Sequence, residues 1–589
     1  MTDLMPATSN TTRQSFGICG NLFLRKMKRI IPINFWQETK RLTLVAVPVF
    51  LSQLMNFLTS IVSAIFCGHL GRIELDAFSL ATAVVNISGV SVGVGLSLAC
   101  DTFISQTYGS KNLKRIGVIL QRGILILLIV CFPCWALFVN TENILLAFKQ
   151  PPEVVKLTNL YVLIFIPALP AVFLYHLEIR YLQNQGITLP QVFIGVLVTV
   201  LNAITNYLLL NIFSLGVQGS AAAITVSQYC QATFLFIYIR WRKLHVNTWA
   251  AWSTDCLQEW GLFVKLAIPS MLMLCFEWWS YEVGSFLADE QVRQSLASCF
   301  SFTGTINEVE LGAQAVVYQI LQVTYMLPLG YGVASAVHVG NALGAGNPER
   351  AKNVVKTALW CSGFLALVIS VVLKAVSDVI GYIFTNDKEI IQLVGKLLPL
   401  IATNQFFDAL VCVNSGVLRG TGKQRLGAIG NLVGFYLIGF PIGISLTFAA
   451  KFGIIGYWYG MTICVIFQYA FFQIVIYKIN WNEASNQAQA ISGVKTHVDP
   501  YPRPSVEQNE CISSDVNNEV HSGSIAVITV GDATPVENNV NAGQVREESL
   551  APKMNVEEKL SLKQLIVRRG IAVLSGLLIL VIGLLLRNM

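Results

Sequence analysis

Apolar runs of about 20 residues or more recur along this chain, separated by short polar loops. They fall near 43–67, 77–100, 117–138, 158–177, 189–212, 219–239, 262–287, 311–335, 355–377, 392–417, 427–449 and 454–477. At 1.5 Å per residue, a helix of this length crosses a bilayer. A polar tail, residues 1–40, precedes them. A stretch rich in Asn, Glu, Ser and Val, residues 481–562, follows without helical periodicity and is expected to be a disordered linker in the cytosol. A last apolar run near 570–586, within the segment 563–589 and preceded by Lys563, Arg568 and Arg569, predicts a thirteenth span. The pattern predicts an all-α polytopic membrane protein.

The runs repeat as a set. Ala46-Val-Pro48 opens the first and Ala267-Ile-Pro269 the seventh; Ile73-Glu-Leu-Asp-Ala77 is echoed by Val309-Glu-Leu-Gly-Ala313. Tyr108-Gly-Ser-Lys-Asn-Leu-Lys-Arg115 is echoed by Leu343-Gly-Ala-Gly-Asn-Pro-Glu-Arg350, and Leu182-Gln-Asn-Gln-Gly186 by Leu418-Arg-Gly-Thr-Gly422. Six spans per repeat give both halves the same orientation. Two six-helix bundles, residues 41–245 and 246–480, are then related by a pseudo-two-fold axis along the membrane normal, a layout suited to a transporter with a cavity between lobes. The spacing between paired residues grows after Leu287, so 288–307 is an atypical insertion, expected outside the membrane. Asn347-Pro348-Glu349 reads as a capped helix start, and Gly344-Ala-Gly346 as a turn.

Composition agrees: 54% of the 589 residues are hydrophobic and 12% charged, which excludes a soluble globule. The net charge of +7 does not imply nucleic acid, because the basic residues cluster beside the spans at Lys111/Lys114/Arg115, Arg240/Arg242/Lys243, Arg350/Lys352/Lys356 and Arg419/Lys423/Arg425. Loops on that side hold roughly thirteen Lys and Arg against about seven opposite, which places it and the N-terminus in the cytosol and the C-terminus outside. No cleaved signal is expected, so the first span acts as its own signal. Asn10-Thr-Thr12 would lie in the cytosol, where it is not glycosylated. Cys131-Phe-Pro-Cys134 lies inside a span and reads as packing. No nucleophile–base set, metal-ligand spacing or phosphate loop is present, so neither an enzyme nor a metal or cofactor is expected.

Acids inside the apolar runs carry the chemistry, because a charge at mid-bilayer depth is retained mainly for function. Glu277 and Glu282 lie in the seventh span, Glu310 and Asp408 in or beside later ones. The repeat serves as a control: the first-half counterparts of Glu277, Glu282 and Asp408 are Asn56, Ile61 and Val172, so the scaffold does not require acids there. Glu310 is paired with the equally acidic Glu74, and Asp101 and Glu178 read as structural. Glu277 lies about 18 Å above Lys265 and Asp408 about 16 Å above Arg419, the same level. Together they would form a cluster that holds a cation when deprotonated and releases it when protonated. Glu282 is nearer the outer end and can equally face water. Trp278, Tyr281, Tyr318 and Tyr325 offer π-faces to an organic cation, or pack between helices.

Phe66-Cys-Gly-His-Leu-Gly71, Cys100-Asp-Thr-Phe-Ile-Ser-Gln-Thr-Tyr-Gly109, Glu277-Trp-Trp279, Tyr281-Glu-Val-Gly-Ser-Phe286, Val309-Glu-Leu-Gly-Ala-Gln314, Val339-Gly-Asn-Ala-Leu-Gly-Ala-Gly346 and Gly416-Val-Leu-Arg-Gly420 resemble the multidrug and toxic compound extrusion family, in particular its vertebrate branch. The resemblance implies two bundles in a V, alternating access, and proton-coupled export of organic cations by a monomeric unit in the plasma membrane, often the apical face of epithelia. It assigns proton or cation binding to Glu277, Glu282 and Asp408, where close relatives of the last carry Glu. The vertebrate proteins carry another Glu in the eighth helix, where this chain has Gln319. Three alternatives stay open: sodium coupling, a lipid-linked flippase (which the acidic rather than cationic added charges disfavour), and a form impaired by Gln319 and the 288–307 insertion.

Overall fold

Where water is absent, each backbone amide and carbonyl must find a partner within its own segment, and the apolar runs accordingly fold as helices. The computed structural model describes residues 34–288, 308–493 and 560–587. The first bundle comprises α1 (Phe35–Leu70), α2 (Arg72–Gly109), α3 (Leu113–Val139), a bent pair α4a (Pro152–Phe165) and α4b (Ala168–Gln183), α5 (Leu189–Ile212) and α6 (Gly216–Trp241). The second comprises α7 (Trp260–Ala288), α8 (Glu308–Gly344), α9 (Pro348–Ala375), α10 (Lys388–Gly420), α11 (Gln424–Ala449) and α12 (Ile454–Tyr477). A short α13 (Trp481–Ile491) and a terminal α14 (Leu562–Arg587) complete the described chain. Among the described residues, 12 helices are long and apolar enough to cross a membrane, 13 when the bent pair is counted as one span. That pair turns by 58° at Ile166-Pro167, where proline supplies no amide hydrogen. The 288–307 insertion lies outside the described residues but for Ala288, the last residue of α7.

Several helices run further than hydropathy predicts, and the longest extensions lie at the end that carries the basic loops. α1 begins at Phe35, α2 continues to Gly109 and α8 to Gly344. The added turns are polar and read as loop, yet Asp101 and Gln106 are each 1% exposed. The opposite bundle, not water, covers them. Here α2 and α8 approach backbone to backbone: a Cβ on Gly109 would collide with the Asn341 carbonyl, and one on Gly344 with that of Gln106.

The bundles also exchange packing. The core of the first includes Trp260, Phe263 and Ala267 from the start of α7, with Phe263 stacked on Phe103 at 5.4 Å. Conversely, Leu42, Val45, Ala46 and Val49 of α1 belong to a cluster with Val333, Val337, Val413 and Val417. Polar bonds follow the same seam. Thr43 and Tyr331 share a 3.2 Å hydroxyl contact, and Glu38 meets Arg41 at 2.6 Å and Arg350 of α9 at 3.5 Å.

The expected linker from 481 begins instead with α13. Asn480 caps it by accepting from the Glu483 amide (3.3 Å), and Ala484, Ser485 and Ala488 form its buried face. The helix is short, and its pattern is hidden by polar neighbours. It bridges both bundles: Ser485 donates to the Leu343 carbonyl (3.1 Å), and Asn112 donates to that of Ser492 just beyond the helix (2.9 Å). The remainder of the expected linker, to Lys559, lies outside the described residues. Asn347 caps α9 as expected, accepting from Arg350 N at 2.9 Å.

The last helix lies along α3, running from the basic end to the opposite one. Asn140 donates to the Gly583 carbonyl (2.8 Å), and Gly583 packs on Ala136. At the other end Arg569 donates twice to the Leu257 carbonyl (3.0 and 2.8 Å) and covers the Trp260 ring at 4.4 Å. Leu257 belongs to the segment joining the bundles, which Arg115 and Arg122 of α3 also hold through Glu259 (3.0 and 3.3 Å).

Gly344→Val should lower the stability of the purified protein by about 1–3 kcal/mol, the scale of overpacking a tight contact. Gly570→Val, where a Cβ meets nothing within 4 Å, should leave it unchanged. Thermal unfolding in detergent compares them.

Candidate functional site

α7 passes between the two bundles and presents a different face to each. Residues four apart share a face, and residues two apart lie about 160° away in the other sense. Cys275 and Trp279 therefore face one way and Glu277 and Tyr281 the other. Trp279 donates from Nε1 to the Ile87 carbonyl of α2 (3.1 Å), and Cys275 lies 3.7 Å from the Ser91 hydroxyl. Ile87 falls in a π-helical turn, Asn86–Val90; such widened turns recur near functional sites.

On the other face Glu277 enters the second bundle. Its Oε1 accepts a 2.6 Å hydrogen bond from the Tyr325 hydroxyl of α8. Asp408 of α10, 6% exposed, is close enough to interact electrostatically with Glu277, and Tyr281 interacts with both acids. Glu277 and Asp408, expected at one depth, thus lie within electrostatic range of each other and of Tyr281, and Tyr325 bonds Glu277. Tyr325 takes a role the π-face reading did not assign, because its hydroxyl is spent on Glu277.

The other expected residues occupy different levels. Tyr318 stands 6.5 Å from Tyr281 between ring centroids, and Glu282 interacts electrostatically with Tyr318, so these form a second level further from the basic end. Trp278 is half-buried and Gln319 exposed. Glu310 packs against Gly453 in the turn before α12, about 22 Å along α8 from Tyr325; it is not gathered with Glu277 and Asp408.

Three supporting residues were not anticipated. Asn431 of α11 donates to the Met273 carbonyl one turn before Glu277 (2.8 Å) and accepts from Gln468 of α12 (3.4 Å). Tyr457 donates to the Ser280 carbonyl at 3.5 Å. Asn431 and Gln468 are polar residues inside apolar runs, the same signal that marked the acids. π-Helical turns at Leu432–Gly439 carry Phe435 against Tyr281 (6.4 Å) and Tyr436 against Phe276 (5.5 Å). Two carboxylates with phenol and aromatic neighbours suit one monovalent positive charge, whether proton, alkali ion or organic ammonium. No metal-binding group of His, Cys, Asp and Glu occurs among the described residues.

The sequence profile described as MatE matches residues 48–208 and 269–444. The chain belongs to the MATE family. It is 50% identical over 582 residues to multidrug and toxin extrusion protein 1 of Danio rerio, covering 99% of this chain and 95% of that one. It is 49% identical over 554 residues to protein 1 of Homo sapiens, covering 94% of each, and 48% identical over 551 residues to protein 2 of Mus musculus, covering 94% and 92%. Among solved structures, the eukaryotic MATE transporter AtDTX14 matches with a TM-score of 0.72 and 29% identity, covering 78% of this chain and 100% of that one. The Vibrio cholerae MATE transporter VcmN in its bent form shares the fold, at a TM-score of 0.62 and 16% identity over 78% of this chain and 99% of that one. This MATE chain is therefore a multi-pass membrane transporter and not an enzyme.

Tyr325→Phe removes the donor to Glu277. A hydrogen bond to a charged group contributes about 1.5–3 kcal/mol, so transport should fall by roughly tenfold or more with normal surface expression. Uptake per copy of surface protein measures it.

Proposed function

We propose that this MATE chain is a proton/organic-cation antiporter that exports cations across the plasma membrane by alternating access. The observation that carries this reading is the Glu277–Asp408 pair, in which Glu277 accepts from Tyr325 at 2.6 Å. Deprotonated, the pair holds a cation; protonated, it releases one. Relatives named for multidrug and toxin extrusion support the substrate class. The basic loops give the direction: the end carrying Lys111, Arg242 and Lys423 faces the cytosol under the positive-inside bias, and α14 then ends outside. The transport unit is a monomer, and in epithelia the apical face is its expected place. Glu282 with Tyr318 forms an outer station of the same route.

Gln319 stands where the resembled vertebrate proteins carry Glu. A neutral amide holds no exchangeable proton, so in this chain Glu277 and Asp408 carry the exchange without it. Gln319→Glu should tighten the apparent affinity for organic cations severalfold, read from the concentration dependence of uptake.

The deciding experiment is uptake of labelled tetraethylammonium into expressing cells, with the outward proton gradient varied at fixed sodium. Uptake should follow the proton gradient and fall by at least about tenfold in Glu277→Gln and Asp408→Asn, as expected when a carboxylate retained inside a membrane span for function is removed. Uptake that follows sodium would replace the proton with sodium in the scheme. Absence of uptake, restored on deleting 288–307, would identify an impaired form.

A further inference from the structure

The exchange scheme gives no role to α13. This helix bridges the bundles at the basic end of the seam, where other polar contacts join them directly. Thr102 of α2 donates to the Arg419 carbonyl of α10 (2.6 Å), Gln106 donates to that of Gly420 (3.0 Å), and the Asp101 carboxylate lies 3.8 Å from Arg419 Nε. Parting the bundles here breaks these contacts, and it must also detach α13 from one bundle or the other. The two ends of the helix decide which.

Its first turns are rooted in the second bundle. Residues 478–480 alone separate it from α12. Ala484 and Ala488, 4% and 0% exposed, belong to the cluster that holds Val333, Val337 and Val413, and Ile479 and Trp481 pack against that cluster. Ser485 donates to the Leu343 carbonyl of α8 (3.1 Å). Detaching this end would expose apolar surface. The far end is built differently. Gly493 stops the helix in the left-handed conformation, φ 74°, and the Ser492 carbonyl is left without a partner inside the helix. Its donor comes from the first bundle, Asn112 at 2.9 Å. Ile491 packs half-buried against the core of that bundle, and a Cβ on Gly493 would fall 2.8 Å from Arg115 Nη1. Water can replace the donor to one carbonyl at small net cost, so this is the end that lets go. Asn112 carries the same bias. It occupies the N-cap of α3, where asparagine ordinarily accepts from its own helix, yet its side chain makes no such bond and is spent on α13.

We infer that α13 is a strap across the basic end, carried by the second bundle and latched to the first through Ile491, Ser492 and Asn112, and that its release accompanies each opening of the transporter to the cytosol. Latched, Asn112 donates to the strap. Released, it is free to turn back and cap α3, which offsets the lost bond and keeps the latch reversible. The strap thereby sets the balance between the two access states. A weaker latch favours the state open to the cytosol, and a latch that cannot release holds the carrier shut on that side. The inference rests on the alternating access proposed above, with the basic end in the cytosol.

The test uses the purified full chain, with hydrogen–deuterium exchange read over residues 102–109 and 336–344, the ends of α2 and α8 that meet in the seam. Asn112→Ala and Asn112→Asp both remove the donor to Ser492, while Asp can still cap α3. In both, exchange over these residues should rise by about fivefold, the factor that one hydrogen bond implies, and the apparent affinity for cytosolic tetraethylammonium should rise with it. An Asn112→Asp protein that matches the wild type overturns the inference and leaves Asn112 a cap of α3 alone. Asn112→Cys combined with Ser492→Cys can be bridged by a short reducible cross-linker. Bridged, the protein should exchange more slowly than the wild type over the same residues and lose transport, and reduction should restore transport, which separates a lock from a misfolded variant. A bridged protein that exchanges and transports like the wild type overturns the inference. Absence of transport by the wild type overturns the transport reading alone, because exchange still reports the latch.

Discussion

At the basic end of the molecule two helix backbones, α2 and α8, meet with no side chain between them. Gly109 and Gly344 make this possible, and the contact brings polar residues of each bundle within bonding distance of the other. Without water, each buried donor and charge there needs a partner across the seam. Asp101, Thr102, Gln106 and Arg419 meet that demand together, so the seam is a cooperative polar joint between two apolar bodies. The exchange of α1 and α7 strengthens it, since each of these helices begins in the core of the bundle it does not complete.

That geometry explains how α7 carries the site. Trp279 and Cys275 attach it to α2, and Glu277 and Tyr281 turn into the second bundle. A shift of the bundles along the seam therefore loads either the Trp279 and Cys275 contacts with α2 or the Tyr325 bond to Glu277, without breaking α7 itself. Asn431, held by Gln468, steadies the turn below Glu277. Glu277 is fixed from three sides: by its own helix, by α8 through Tyr325, and by α11 through Asn431.

Much of this was legible from hydropathy. The spans, their six-plus-six repeat, the cap at Asn347 and the shared depth of Glu277 and Asp408 follow from apolar length, echoed motifs and helix rise. Three things did not. The helical extensions at the basic end contain residues that resemble loop, because a hydropathy pattern assumes that polar residues face water. α13 carries too few apolar residues to stand out within a polar stretch, although Asn480 and Glu483 mark its start. Composition groups Glu310 with the other acids, yet one helix can hold acids at levels too far apart to act together. Tyr325 was legible as an aromatic, but only coordinates show where its hydroxyl points.

The exchange of α1 also has a consequence for biogenesis. The first of the described helices to be synthesised buries Leu42, Val45, Ala46 and Val49 against α8 and α10, which are made hundreds of residues later. Its initial turns must wait in the bilayer, incompletely packed, until the second bundle has been inserted. The segment joining the bundles waits longer still, for Arg569 near the end of the chain. Assembly of this transporter therefore finishes at its beginning and its middle, and truncated nascent chains would expose unfinished polar seams rather than one completed bundle.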